Sequence, residues 1–563
     1  DAQWGQAATR LERVHATHPE DDVVVAASLR LAELQHERLE RLDAARRALD
    51  TVLTKRADHP EALRRLLAIQ LATKDTAAPE TARRLAEVSP DPAVRAEAWT
   101  TLGRLLRQRK DLESACSAYA EAIAIVGLSE AAATELKELL VQRRVAGNQP
   151  AWAEYAGALI RYMNTPGCEP EAFAAVALEL ARVQADELAL VDEAIATLDR
   201  GLGASPTDAA LRTELATRLR KGGHLERALE ELRKLLDLDS LRLETWRDLH
   251  EVFDRMGRNA EAHLALGPLL LLDGATDLQR STWAARQPRT VHVREGSFTE
   301  PTLVAIDVLA RQRAACALLG QLAEGMSKIY APGLERFGLT TRDRIGPKSG
   351  HALRVTAERV ARIFGVHEFD LYAASDYDGA IAVVLTDPVG LVLPASFAAR
   401  SEVEQIFLLA RPMANIARRL AVVDALPPAD LGLLLTAAGR LVDGSFGSGA
   451  YEEAHLEPLA RRVSKSVPWL SKGRVEDAAR AFIAAGPVDA ADFSLRVRLS
   501  AARAALLVAD DVVSCVQILR RTEGDLSGLE AIHTEAAVRT IRDMVLFWAS
   551  EPAMQVRREV GLM

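Results

Sequence analysis

Cysteine is scarce in this chain: Cys116, Cys168, Cys316 and Cys515 are the four in 563 residues, and no two form a C-x-x-C pair. That spacing gives neither a disulfide framework nor a zinc-finger motif, and free thiols in a reducing cytoplasm are expected. Aromatic residues are only 5% of the chain. No apolar run reaches about 18 residues, so no membrane-spanning helix is expected. The first residues, with Asp1, Gln3 and Gln6 and no apolar stretch, do not read as a signal peptide. The formal net charge is −9, with no basic run longer than a few residues. This argues against nucleic acid as the main ligand, because such proteins carry a basic face.

What is present is helix-forming material. Apolar residues make up 49% of the chain, and alanine, leucine and arginine are abundant, which favours helix nearly everywhere. The same composition is that expected of a high-GC bacterium. Ala194, Ala228 and Ala262 lie 34 residues apart, and each is followed four residues later by a leucine: Leu198, Leu232 and Leu266. Sixteen residues before the second and third alanines stand Arg212 and Trp246, each followed by a leucine at the third position, Leu215 and Leu249. A further unit contains Trp99, Leu102, Gly103, Leu106, Ala115, Tyr119 and Ala122.

This pattern resembles the tetratricopeptide repeat (TPR), a helix–turn–helix unit with the form W-x2-L-G-x2-Y, then A-x3-F, then P. The resemblance covers residues 90–130 and 170–275 most fully. The segments around Ala45 and Pro60 are degenerate. Ala7, Leu11, Val14 and Pro19 read as the second half of a unit already under way, so the chain is expected to be a fragment.

The expected fold is mostly α. A TPR α-solenoid over 1–275 is followed by a connector over 276–300, with a short strand at Thr290–Val293. An α+β domain with a small sheet spans 301–470, and a helical C-terminal region spans 471–563. Helices are expected at about 302–330 and 350–364. Short apolar runs at Phe369–Ala374, Ala380–Leu385 and Gly390–Leu393, separated by Asp-, Gly- and Pro-containing turns, predict about three strands. Ser401 and Glu404 form an S-x-x-E capping box opening a helix from 402 to about 424, and Pro427-Pro428 stops it. Gly444–Gly449 reads as a flexible loop.

The order of small sheet, strand Leu391–Pro394 and capped helix resembles zinc metallopeptidases of the CAAX-prenyl-protease type. That family carries A-H-E-L-G-H-I on the helix. Here the helix reads Ala410-Arg411-Pro412-Met413-Ala414-Asn415-Ile416. In register, Arg411 replaces the first histidine, Pro412 the catalytic glutamate and Asn415 the second histidine. Two histidines at i and i+4 would hold one zinc, and the glutamate would deprotonate its bound water. A permanent guanidinium repels a dication. Glu452, Glu453 or Glu457 stands where the third ligand lies, but one carboxylate does not hold catalytic zinc. The resemblance implies a catalytically dead, peptidase-like domain with no metal and no cofactor. The plain alternative is an α+β domain whose helix happens to follow a strand. His351, His367 and His455 fit no metal spacing, and the Gly444–Gly449 loop lacks the lysine of a phosphate-binding loop.

In the TPR family, positions 2, 5, 9, 12 and 13 of a unit line a concave face. Those positions carry Glu97, Arg104 and Arg107 in one unit, Thr213, Arg220 and Lys221 in the next assigned, and Arg247, Glu251 and Arg255 in the last. The expected groove is basic and suits an acidic peptide segment or a carboxylate terminus. The expected function is a non-enzymatic scaffold that binds a protein partner in the repeat groove. The alternatives are a structural component of a large multiprotein assembly and an active zinc metallopeptidase.

Overall fold

Helix is the rule throughout, because the alanine-, leucine- and arginine-rich stretches lose little side-chain freedom in it. The computed structural model describes residues 2–128, 130–143, 149–285, 293–522 and 535–562. The chain divides into two units, Asp1–Glu231 and Leu232–Met563.

In the first unit a single helix, Ala2–Thr17, precedes a series of helix pairs. They are Asp21–Glu37 with Leu42–Lys55, Pro60–Thr73 with Ala78–Val88, Pro92–Gln108 with Leu112–Val126, and Pro170–Arg182 with Val191–Ala204; between the last two pairs, Glu130–Arg143 and Gln149–Met163 both pack against Leu112–Val126. Ala209–Lys221 follows, and Leu225–Leu238 straddles the division between the units. Local sequence sets the helix ends. The carboxylates of Asp91, Asp111 and Asp208 accept the N–H groups of Ala93, Ser114 and Ala210, and Pro60, Pro92 and Pro170 occupy first turns. The degenerate repeats are complete pairs. Ala45 and Ala82 of their second helices are fully buried.

Small residues mark where the two helices of a pair touch. A Cβ on Gly103 would lie 2.7 Å from the Tyr119 ring, so only glycine lets helix Pro92–Gln108 sit on Tyr119. Ala115, Ala194 and Ala228 are fully buried. Ala228→Leu should therefore overpack its site and cost about 1–3 kcal/mol. A thermal midpoint equal to the parent's would show that Ala228 is not at a helix crossing.

Arg212 stands where the repeat pattern has tryptophan, and the structure gives the reason it is tolerated. Its guanidinium donates to the carbonyl of Pro206, six residues earlier, and pairs with the buried Glu231. In the second unit Trp246 donates from Nε1 to the carbonyl of Ser240, also six residues earlier. The position 19 residues on is Glu231 after Arg212, and Ala265 after Trp246. The arginine brings its own counter-ion where the tryptophan leaves room only for alanine.

The second unit begins with the pair Leu243–Arg255 and Asn259–Leu271. The sequence placed the end of the repeats at 275, but this pair shares a core with the last helices of the chain. Trp548 Nε1 donates to the Leu264 carbonyl at 2.8 Å, and its ring meets Trp283 edge-on with centroids 6.4 Å apart. A Cβ on Gly267 would lie 2.5 Å from Val512. The expected connector contains a helix, Asp277–Ala284, opened by a Thr276–Gln279 capping box. Within the expected strand Thr290–Val293, residues 290–292 lie outside the described residues, and Val293 is buried but not in a strand.

The small sheet is present. β1 (Asp370–Ala373), β2 (Ala382–Val384) and β3 (Gly390–Leu393) lie in the order β1-β3-β2. β1 runs parallel to β3, with Tyr372 opposite Val392, and β2 runs antiparallel to it, with Val383 opposite Leu391. Leu334, Tyr372, Ala374, Val384 and Val392 form the core on one face.

Two expected helices are broken. The stretch 302–330 divides into Glu300–Ile306, Arg313–Leu322 and Met326–Ile329. The first break falls at Asp307, whose buried carboxylate takes hydrogen bonds from the Leu309 N–H, Arg313 and Arg418, and the second is a tight turn at Ala323–Gly325. The helix expected from 402 to 424 stops at Ala417, because Arg419 adopts a left-handed φ of 59° and Leu420 N–H turns back to the Asn415 carbonyl. A short helix, Val422–Ala425, follows, and Pro428 opens the next, Pro428–Gly439. Helix Ala490–Ala509 is buried along most of its length and packs against helix Glu402–Ala417.

Candidate functional site

The first helices of the pairs carry the groove positions read from the sequence, and in the first unit ion pairs tie them together. Arg104 donates to Glu135 at 2.8 Å and Arg107 to Glu138 at 3.2 Å, joining helix Pro92–Gln108 to Glu130–Arg143. Lys137 pairs with Glu179 at 2.7 Å, and Arg182 with Glu214 at 3.2 Å, joining the next two junctions. Arg65 reaches Glu37 at 3.0 Å and Glu33 at 3.7 Å, joining Pro60–Thr73 to Asp21–Glu37. Arg218, nearly buried, is gripped by Glu214 and by Asp186, whose carboxyl it holds below the usual range. Tyr119 Oη donates to Glu135 at 2.6 Å, and burial first, then this bond, pushes its phenol well up.

The expectation of a basic groove is altered by this ladder. Arg104 and Arg107 are matched by Glu135 and Glu138, each 31 residues on, so that stretch of the face is balanced in charge. The spacing was visible in the sequence, but the pairing was not. It depends on how far one first helix is rotated against the next. Arg220 and Lys221 lie in the last turn of helix Ala209–Lys221, with Lys221 exposed.

One junction lacks such a rung. Among the described residues no ion pair joins helix Pro60–Thr73 to helix Pro92–Gln108. A cleft of about 280 Å³ opens there instead. Its walls include Glu37, Arg64, Leu67, Leu71, Glu97 and Ala98. Leu71 is 41% exposed, an apolar side chain left facing the cleft. Arg64 is held by Glu61, whose carboxyl it depresses, and it feels the fields of Glu97 and Glu37. One wall of the cleft comes from the degenerate repeats and the other from helix Pro92–Gln108, so no single stretch of sequence signals it.

In the second unit Arg247 and Arg255 are exposed on helix Leu243–Arg255. Arg247 reaches the Gly274 carbonyl at 3.4 Å, and Arg255 lies 3.8 Å from Glu251.

The residues aligned with a peptidase motif lie on a helix that is mostly core. Helix Glu402–Ala417 buries Ile406, Phe407, Leu409, Ala410 and Met413, and Ser401 and Glu404 form the expected capping box. Pro412 is buried inside the helix, Asn415 donates to Asp424 at 2.8 Å, and the Arg411 guanidinium lies 5.9 Å from the Phe407 ring centre. Together with Ile381, Val383 and Arg498 they line a cleft of about 380 Å³ in which Asp424 is the sole carboxylate. Two guanidiniums beside one carboxylate suit no divalent cation. Glu453 and Glu457, at the third-ligand place, are engaged by Arg440 and Arg461. His351 caps helix Ala352–Ile363 by accepting the Leu353 N–H. Among the described residues no three His, Cys, Asp or Glu side chains gather closely enough to hold a metal.

No protein-family model and no curated protein matches this chain. Solved structures that resemble it are helical-repeat proteins. The C-terminal part of a TPR repeat-containing protein from Cytophaga hutchinsonii is 12% identical, with 46% of this chain and 100% of that one covered at a TM-score of 0.27. The type IV pilus biogenesis factor PilW is 16% identical over 46% of this chain and 97% of its own, at a TM-score of 0.22. A thermophilic TPR protein from Thermus thermophilus is 25% identical over 35% of this chain and 98% of its own, at 0.16. At these scores the superpositions are partial. The TPR-like assignment rests on the helix pairs and buried small residues of this chain itself. The metallopeptidase resemblance of 301–470 gains no support from any comparison.

Proposed function

We propose that this protein is a non-enzymatic scaffold whose repeat face binds an extended segment of a protein partner. The observation that carries this reading is the cleft between the first helices at the junction where the ion-pair ladder is interrupted. The first helices of a solenoid line an extended concave surface. Here that surface carries a pocket with apolar and charged lining. An apolar side chain of the partner fits over Leu67, Leu71 and Ala98, and its flanking polar groups meet Arg64 and Glu97. In the same reading, Arg220 and Lys221 in the first unit and Arg247 and Arg255 in the second serve acidic groups of a partner. No helix among the described residues is long and apolar enough to cross a membrane.

Leu71→Asp places a carboxylate on the apolar wall while leaving the buried core untouched. A partner captured by the parent protein should lose at least tenfold in affinity, on the order of the 1.4 kcal/mol per decade relation. The melting temperature should stay within a degree or two, as for other exposed positions. Raised salt should weaken the complex further, as should reversal of Arg220 and Arg255 to glutamate. Equal capture by the Leu71→Asp protein would show that the cleft is not the binding site.

A further inference from the structure

In the second unit, Trp469 and Leu470 are 83% and 85% exposed, the two most exposed of the large apolar side chains described. They sit in a single tight turn, Trp469–Ser471, between helix Glu453–Ser466 and helix Lys472–Ala485, and Pro468 fixes the approach to it. The turn's neighbours in the chain are one-sided in charge. From Pro458 to Val475 there is no aspartate or glutamate, but there are Arg461, Arg462, Lys465, Lys472 and Arg474, in a chain whose formal net charge is −9. All five of these cations are exposed. Arg462 donates to the carbonyl of Ile329, which brings the exposed Lys328 of helix Met326–Ile329 to the same end of the fold. Acids return only at the borders, where Glu457 pairs with Arg461 at 3.0 Å and Glu476 stands 3.9 Å from Lys472.

We propose that this turn is a wedge that seats the protein on an anionic lipid surface. The indole of Trp469 suits the headgroup boundary, where an amphipathic ring has one apolar and one wet side. Leu470 beside it enters the acyl region. The lysines and arginines of the two flanking helix ends stay at the level of the phosphates, with their aliphatic stems along the apolar edge. Charge complementarity favours a bilayer over a pocket in another protein: a flat, negatively charged plane meets the exposed apolar turn and the cations of its flanking helix ends together. Two inserted side chains hold weakly, so the attachment is reversible and needs the charge. This inference does not rest on the repeat cleft, which lies in the other unit.

Sedimentation of the full chain with vesicles tests it. Phosphatidylcholine vesicles containing roughly one third phosphatidylglycerol should carry the protein down, and pure phosphatidylcholine vesicles should bind about tenfold less or worse. Trp469→Ala with Leu470→Ala should lower binding to the mixed vesicles about tenfold. Lys465→Gln with Lys472→Gln and Arg474→Gln should lower it comparably and flatten its salt dependence. All five side chains are at the surface, so unchanged melting curves serve as the folding control. Failure of the parent to bind the mixed vesicles overturns the proposal, as does equal binding by the Trp469/Leu470 variant. A parent that ignores lipid but self-associates or captures a purified protein through Trp469 would assign the turn to protein recognition instead.

Discussion

Asp510→Asn is expected to be among the most damaging single substitutions in the second unit, at a cost of about 3–5 kcal/mol. Asp510 and Arg557 are both fully buried, 3.8 Å apart. Arg557 also donates to the Trp548 carbonyl at 2.7 Å, and its guanidinium lies 4.1 Å from the Trp548 ring centre. The pair therefore fastens helix Glu551–Val560 to the end of helix Ala490–Ala509, next to the tryptophan that donates to Leu264. Asparagine tolerates the left-handed φ of 53° at this position, so backbone strain is not the cause of the loss. What it removes is the charge, leaving a guanidinium buried without its counter-ion. Urea midpoints should fall strongly for Asp510→Asn, and the double variant Asp510→Asn with Arg557→Met should recover part of the loss. A single variant as stable as the parent would show that the arginine is neutralised elsewhere.

The second large effect concerns Arg212, where restoring the repeat pattern should do harm. Arg212→Trp alone leaves Glu231 buried without its cation, and a cost of about 3–5 kcal/mol is expected. Adding Glu231→Ala recreates the Trp–Ala combination found at Trp246 and Ala265, both fully buried. Replacing a buried ion pair by well-packed apolar groups is often neutral or stabilising by about 1–4 kcal/mol, so the double variant should equal or exceed the parent. The thermal midpoints of the two single variants and the double close a cycle whose interaction energy should be large and favourable. Additive single effects would mean that Arg212 and Glu231 do not act as a pair.

Both effects depend on partners distant in sequence, and this separates what was legible from what was not. The 34-residue recurrence of Ala194, Ala228 and Ala262 located fully or nearly buried positions, because a close helix crossing admits only a small side chain wherever it recurs. Gly103 and Tyr119 were readable for the same reason. The three strands and the Ser401–Glu404 cap were readable because alternation, turn residues and caps act within a few residues. The capping box of Thr276 and Gln279 carried the same kind of signal, yet the surrounding Gly, Pro and Thr hid it. The break at Asp307 combines local bonds, from the Leu309 N–H and Arg313, with one from the distant Arg418, and the break at Arg419 comes from a turn back onto Asn415. The metallopeptidase resemblance over 301–470 rested on a strand followed by a capped helix, an arrangement any α+β packing can produce. In the structure Pro412 and Asn415 are buried on that helix and Asn415 donates to Asp424, while Arg411 is half-buried beside the cleft they line.

The sequence by itself determined the helical class, the pairing of helices into TPR-like units and the presence of a small sheet. Each follows from propensity, period and turn chemistry acting over short distances. Tertiary structure decided which charges meet. It set Arg104 against Glu135 and Arg107 against Glu138, and it left the junction between Pro60–Thr73 and Pro92–Gln108 open as a cleft. It also placed the Leu243–Arg255 and Asn259–Leu271 pair in the same unit as the C-terminal helices, through Trp283, Trp548 and the close approach at Gly267. The reason is physical: burial and ion pairing depend on the rotation and spacing of whole helices against their neighbours, and no local stretch of sequence encodes these.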